Sequence, residues 1–269
     1  MRIIAFVNPM GGQGKTTLAV NLAACLAAMG KRVLLVDMDA QASATHALGV
    51  IPEPGSSLYS ALVDGTSPKD VVRSTRLPNL FVIRSHRELL EMEMSAMQRD
   101  RHLTRLQVIM AELRALPDFE FVFLDCSPQV GVMTTAAMNA ADELLVPILG
   151  DFMMLADLDY LLRQMQQVID SGSNPGLHVG GIVINGFVGN AVQLNKVAHE
   201  MNTRLEPRLS GNVTYTTVIP RSIALGEAAS YGLTILEYEH DGLPARAFRD
   251  LSREFVDRHN SEATSKAIS

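Results

Sequence analysis

The stretch that decides the fold is IIAFVNPMGGQGKTT, residues 3–17. An apolar run, Ile3 to Val7, meets a glycine-rich turn and then a helix-forming stretch from Thr16. That succession reads as a buried strand, a phosphate loop and the N-terminus of a helix. Gly11, Gly12 and Gly14 lack Cβ atoms, so the backbone around Gln13 can curl and present N–H groups to an anion. The helix start at Thr16 and Thr17 adds its own free N–H groups and its positive dipole end. Lys15 can reach β- and γ-phosphates, and the Thr16 hydroxyl can sit on Mg²⁺. The ligand implied is a nucleoside triphosphate with magnesium. The common pattern G-x-x-x-x-G-K-[ST] has a glycine where this chain has Pro9.

Two further strand ends carry acids. Residues 16–29 are apolar on nearly all sides, as in a helix buried against a sheet, and Gly30 marks its end. Val33 to Val36 then form a strand followed by Asp37-Met38-Asp39, which completes a parallel βαβ unit. Carboxylates at the C-terminal end of a parallel strand stand where α/β sheets bind ligands. One of the two could orient water while the other holds the loop or the metal shell; a helix cap or turn accounts for them equally well. FVFLD is a third buried strand, closed by Asp125, which can hold the Mg²⁺ shell opposite Thr16.

The segment Gly11-Gly12-Gln13-Gly14-Lys15-Thr16-Thr17 resembles the deviant phosphate loop of the ParA/MinD ATPases, which position plasmids, chromosomes, division proteins and other cargo. In that family a signature lysine precedes the double glycine and reaches the partner's nucleotide across a dimer. Here that position is Met10, whose thioether carries no charge and donates no hydrogen bond. Asp37 to Gln41 resembles the family's D-x-D-P-Q segment, a match that makes Asp39 the catalytic-water aspartate and puts Ala40 in place of proline. Ala42-Ser43 likewise stand for the usual Gly-Asn. Asp125-Cys126-Ser127-Pro128 resembles D-x-P-P, and residues 217–228 resemble the segment I-P-R…L-S-E-A. The resemblance implies a base pocket between the loop at Pro220 and Asn185, at the end of the strand 179–184. An amide at Asn185 could read an adenine edge or close a turn.

Taken over residues 2–258, the resemblance implies a doubly wound α/β fold, mostly parallel, with helices on both faces. The expected organisation is one ATPase domain over 1–260 and a flexible tail over 261–269. The implied cofactors are ATP and Mg²⁺. The implied partners are a second copy of the chain when ATP is bound, an activating protein (ParB-like or a cargo adaptor) and nonspecific DNA as a track. The alternative is a nucleotide-dependent binding or scaffold switch with little hydrolysis and no DNA track. DNA-binding members carry arginines at positions that here are Asn190 and Ala224. Positive charge stands instead at Arg204, Arg208, Arg221, Arg246, Arg249 and Arg253. The last three fall on one helix face, either solvated or DNA-tracking. Arg163 is a candidate substitute for the missing lysine, by approximate location.

Composition narrows the classes. The net charge of −6 argues against a wholly basic nucleic-acid binder. Cys25 and Cys126, the only cysteines, suggest a reducing compartment and supply neither a metal-ligand pattern nor the paired cluster ligands of a nitrogenase-type iron protein. No uncharged stretch is long enough to span a bilayer, and the first apolar run leads into the phosphate loop rather than a cleavage site. The tail lacks a basic amphipathic helix with bulky anchors, against a MinD-like membrane attachment. The expected location is cytoplasmic, with nucleoid association if DNA is the track. Elsewhere, short helices are expected at 57–63 and from Pro68, a strand at 80–83, helical spacing over 87–116, a helix at 131–141, a strand at 144–148 and a helix at 153–170.

Overall fold

The computed structural model describes residues 1–94, 99–115, 119–128, 131–149, 155–189, 203, 209 and 213–268. Asn190, Arg204 and Arg208 lie outside them. Seven strands form one sheet: β1 (Arg2–Phe6), β2 (Val33–Asp37), β3 (Val72–Ser74), β4 (Leu80–Ile83), β5 (Phe121–Asp125), β6 (Glu143–Leu149) and β7 (His178–Asn185). Their spatial order is β3-β4-β2-β5-β1-β6-β7. Every pairing is parallel except β3 with β4. This is the doubly wound, mostly parallel arrangement the sequence predicts.

Side chains alternate across the sheet, as a period of two requires. Ile3, Ala5 and Val7 face one core with Leu34, Val36, Val122 and Leu124. That core is closed by α3 (Leu58–Leu62), α6 (Arg99–Arg114), α7 (Val132–Ala140) and α8 (Leu155–Asp170). Ile4 and Phe6 face the opposite core with Val33, Leu35 and Phe123. There α1 (Lys15–Ala28) and α11 (Leu243–Ile268) cover the sheet. Phe6 and Phe123 meet edge to face at 4.9 Å, and Phe255 of α11 lies 5.9 Å from Phe123. Each fully buried aromatic of this kind contributes roughly 1.5–3 kcal/mol of transfer free energy.

Three elements differ from expectation. The helix opening at Pro68 is a single turn, α4 (Pro68–Val71), and runs directly into the antiparallel edge strand β3. The helical spacing over 87–116 divides into α5 (Leu89–Met94) and α6. Helix α11 continues to Ile268 through most of the segment read as a tail, in a stretch without glycine or proline and with Glu262, Ala263, Lys266 and Ala267 as good helix formers.

Beyond β7 the chain returns alongside it. The Ile182 amide donates to the Val213 carbonyl at 2.9 Å, and the Ile219 amide to the Ile184 carbonyl at 2.9 Å. The Phe187 amide donates to Ile219 and the Arg221 amide to Phe187, both at 3.1 Å. This segment carries Pro220 to the C-terminal end of β7.

The N-terminal end of β6 holds a buried ion pair. His259 of α11 places Nε2 2.6 Å from Glu143 Oε1 and Nδ1 2.7 Å from the Phe255 carbonyl oxygen. Both partners accept, so only the imidazolium donates to both. Burial acts to lower the His259 pKa, but the hydrogen bond and charge of Glu143 raise it overall. Burial likewise acts to raise Glu143, and His259 outweighs it, with Arg2 and His178 adding to the same effect. The histidine's contribution is full below its unfolded pKa of about 6.5 and is lost as pH rises through the higher folded value. The glutamate's is present above about 4.3 and is lost as pH falls through its lower folded value. Urea midpoints are therefore expected to fall from pH 6 toward pH 9. His259→Gln should cost about 3 kcal/mol at pH 6 and flatten that alkaline limb, because it strands a buried carboxylate. An unchanged slope in the variant would place the pH dependence elsewhere.

Candidate functional site

The phosphate loop leaves β1 at Phe6 and enters α1 at Lys15. Gly12 and Gly14 adopt φ of 76° and 77°, the left-handed region open to glycine. At Gly14 a second constraint applies: a Cβ there would overlap the Asn185 amide nitrogen. Lys15 points back into the loop. Its Nζ donates to the carbonyls of Asn8 at 2.9 Å and Met10 at 3.1 Å. Burial lowers the Lys15 pKa, with Asp125 and Asp39 opposing that shift. The Met10 side chain is 46% exposed, so it is available to solvent rather than packed into the loop.

Strand register brings the acids together. Asp125 pairs with Phe6 of β1 on one side and with Asp37 of β2 on the other. The two aspartates that residue context alone left interchangeable, and that only the resemblance told apart, take different surroundings here. Asp37 is fully buried and its Oδ2 accepts from the Thr45 amide at 2.8 Å and hydroxyl at 2.7 Å, at the start of α2 (Ser43–Ala47). Its Oδ1 accepts from the Asp39 amide at 3.2 Å. Burial raises the Asp37 pKa to about 6 against those hydrogen bonds. Asp37 thus holds the loop. Asp39 lines the cavity beside Lys15 and Thr16 and uses Oδ1 to accept from the Gln41 amide at 3.0 Å. Ala42, which stands for the usual glycine, takes the left-handed conformation at φ 54°. A side chain there is strained by roughly 1 kcal/mol relative to glycine.

Asp125 is fully buried, and neither carboxylate oxygen completes a hydrogen bond. Its pKa is raised well above the ordinary carboxylate value, first by burial and then by the charge of Asp37, while the neighbouring Thr16 hydroxyl and Lys15 oppose. Two orphaned hard oxygens beside a threonine hydroxyl fit a small divalent cation that keeps most of its shell for water and phosphate. Asp125 and Thr16 would hold Mg²⁺ there.

A cavity of about 330 Å³ opens over Gly12 to Thr17 and is lined as well by Asp39, Leu225, Ala229 and Leu233. A second cavity, about 620 Å³, shares Gly12, Thr17 and Leu225 and is lined by Asn185 and Pro220. Gly11 lies against Pro128. All the residues singled out for nucleotide and metal therefore converge on one end of the sheet, where the strand order reverses. Arg163 is exposed on α8 and borders neither cavity. Arg246 and Arg249 donate to the carbonyls of Asp241 and His240, and Arg253 pairs with Asp250, a locally satisfied outer face.

Three features escape sequence reasoning. Asn21 sits in the apolar helix but is buried. It donates to the Thr17 carbonyl at 2.9 Å and accepts from the Ile235 amide at 2.7 Å, fastening α10 (Ile235–Tyr238) to α1. The wall of the first cavity comes from α9 (Ile223–Ser230) and the turn after it. Asn8 ties the loop to β6. One polar residue inside an apolar helix was the available sign for Asn21; the others carried none.

Fold and site together define a phosphate-loop ATPase of the deviant type. Residues 1–179 match the family model described as an AAA domain. The chain is 33% identical over 268 residues to the chromosome partitioning protein ParA of Caulobacter vibrioides, covering 99% of this chain and 98% of that one. It is 34% identical over 258 residues to the chromosome-partitioning ATPase Soj of Treponema pallidum, covering 96% and 98%. Among solved structures, cobyrinic acid a,c-diamide synthase from Mycobacterium smegmatis with bound ADP and magnesium superposes with a TM-score of 0.73 at 27% identity, covering 86% of this chain and 91% of that one. The chain belongs to the ParA/Soj family of partitioning ATPases. Among the described residues no helix is long and apolar enough to cross a membrane.

Proposed function

We propose that this ATPase positions or segregates a cargo, switching between states as it binds and hydrolyses ATP. The observation that carries the reading is the orphaned Asp125 carboxylate, buried beneath the cavity that Lys15, Thr16 and Asp39 border. In the proposed assignment, the amides of Gly11 to Gly14 and the Lys15 ammonium neutralise the phosphates, a preorganised electrostatic effect. Thr16 and Asp125 would hold Mg²⁺, which when bound would help to neutralise the phosphate charge. Asp39 orients a water whose oxygen bonds to the γ-phosphorus as the bond to the bridging oxygen breaks, giving ADP and inorganic phosphate. Adenine lies against Pro220, where the Asn185 Nδ2 is already engaged with Gln13 and Oδ1 can accept from the base's amino group.

The proposed cycle forms a homodimer with ATP, runs slowly alone and is stimulated by a ParB-like protein or cargo adaptor. Nonspecific DNA on the nucleoid is the proposed track, within a cytoplasmic setting. Asp39→Ala should keep MgATP affinity within a few-fold while phosphate release falls by about 10²-fold. Equal turnover in variant and wild type would reject the assignment. The exposed Met10 favours the second reading, a scaffold switch that dimerises with little hydrolysis. Wild-type protein that binds ATP without measurable turnover, and ignores DNA in ATP at low salt, would favour it.

A further inference from the structure

We propose that three buried carboxamides, Asn8, Gln13 and Asn185, brace the phosphate loop against the C-terminal ends of β6 and β7, and that Asn8 is a positioning residue for nucleotide binding. The inference rests on the nucleotide reading above. The three residues are 5%, 6% and 4% exposed. Asn8 Nδ2 donates to the Pro147 carbonyl at 2.8 Å, while its Oδ1 accepts from the Met10 amide at 2.9 Å. Its main-chain oxygen accepts from Lys15 Nζ. Gln13 Oε1 accepts from the Leu149 amide at 3.0 Å, and the Gln13 carbonyl accepts from Asn185 Nδ2 at 3.0 Å. The loop is thus stitched at its start to β6 and at its end to both β6 and β7.

The chemistry of each position explains the residue type. The β1–β6 ladder closes at Phe6 with Leu145, followed by the Val7 amide on the Leu145 carbonyl. Pro147 lies past that point, so its missing N–H breaks no rung, and its carbonyl is left for a side chain. Asn8 must donate there and accept from Met10 at the same time, which a carboxamide does and a carboxylate or an apolar side chain does not. A neutral group also avoids adding charge beside Lys15 and Asp125. Held in this way, the loop keeps its curled form along the cavity before ligand arrives, so binding does not have to order it.

The test uses the full-length protein, N-methylanthraniloyl-ATP with magnesium as the probe, and amide hydrogen exchange without nucleotide. Asn8→Ala is expected to weaken probe binding about tenfold, a loss of about 1.4 kcal/mol. Amides of residues 10–14 should exchange about tenfold faster while those of β1 and β5 keep their protection. Asn8→Asp should not restore affinity, because it cannot donate to Pro147. The double variant with Gln13→Ala should lose less than the product of the two single losses, since both release one loop. Affinity within twofold of wild type in Asn8→Ala would overturn the inference, as would faster exchange spread evenly over the sheet. Should Asn8→Ala not fold, Gln13→Ala decides the same question by the same two readouts. Wild-type protein that fails to bind the probe would sink the nucleotide reading, and loop exchange would still decide the brace.

Discussion

Lys15→Ala is expected to lower ATP hydrolysis by about 10²–10³-fold and to weaken MgATP binding, with the fold intact. The ammonium sits at the hub of the loop, 2.9 and 3.1 Å from two of its carbonyls. Those contacts hold it where the phosphate chain would lie, so little reorganisation is needed when phosphate oxygens replace the carbonyls. Removing the charge deprives the transferring phosphoryl group of a fixed cation that is itself buried in the loop. Lys15→Arg should rescue poorly, because a planar guanidinium does not reproduce a compact ammonium between two carbonyls. Phosphate release and equilibrium binding measure the effect, and thermal melts check the fold. Full activity in Lys15→Ala would remove the loop from the mechanism.

Asp125→Asn should move stability and activity in opposite directions. The native carboxyl is fully buried, has no completed hydrogen bond and lies beside Asp37. A buried polar group without partners costs about 1–3 kcal/mol, more when charged, so the isosteric neutral amide is expected to raise the nucleotide-free protein's unfolding free energy by that order. The sign with pH follows from the raised folded pKa. The unfolded carboxyl ionises first, near pH 3.9, so the native group costs stability increasingly as pH climbs toward its folded value. The gain from asparagine should therefore be larger at pH 7–8 than at pH 4. Hydrolysis should fall by about 10²-fold, because the amide is a poorer ligand for magnesium. Urea titrations at the two pH values, with and without MgATP, separate these effects. A variant that is less stable at pH 8 and hydrolyses normally would show that the carboxylate is structural.

Much of this site was legible because its signals are local. Gly12, Gly14 and Lys15 stand between an apolar run and a helix, and Asp125 closes an apolar strand, so each signal is complete within a few residues of its own. What was hidden depends on distant partners. Residue context alone could not separate Asp37 from Asp39, which only the family resemblance told apart, since the difference lies in Thr45 capturing one of them. Asn8 and Asn21 take their roles from groups 139 and 214 residues away. Asn185 was open between base reader and turn closer; its amide nitrogen also supports the loop backbone, a role that depends on Gln13, far away in sequence. Strand β3 is three residues long and pairs antiparallel, so it carries too little periodicity to read.

The return of residues 213–221 alongside β7 has a consequence for how copies of this chain can meet one another. A bare parallel edge would offer each neighbour a row of unsatisfied amides and invite strand-to-strand polymerisation. Here the Val213 and Ile219 carbonyls and the Tyr215 and Ile219 amides consume those groups on one flank. On the other, the sheet stops at three residues, too few to template a growing ribbon. Crowding such molecules together should then leave them able to part again.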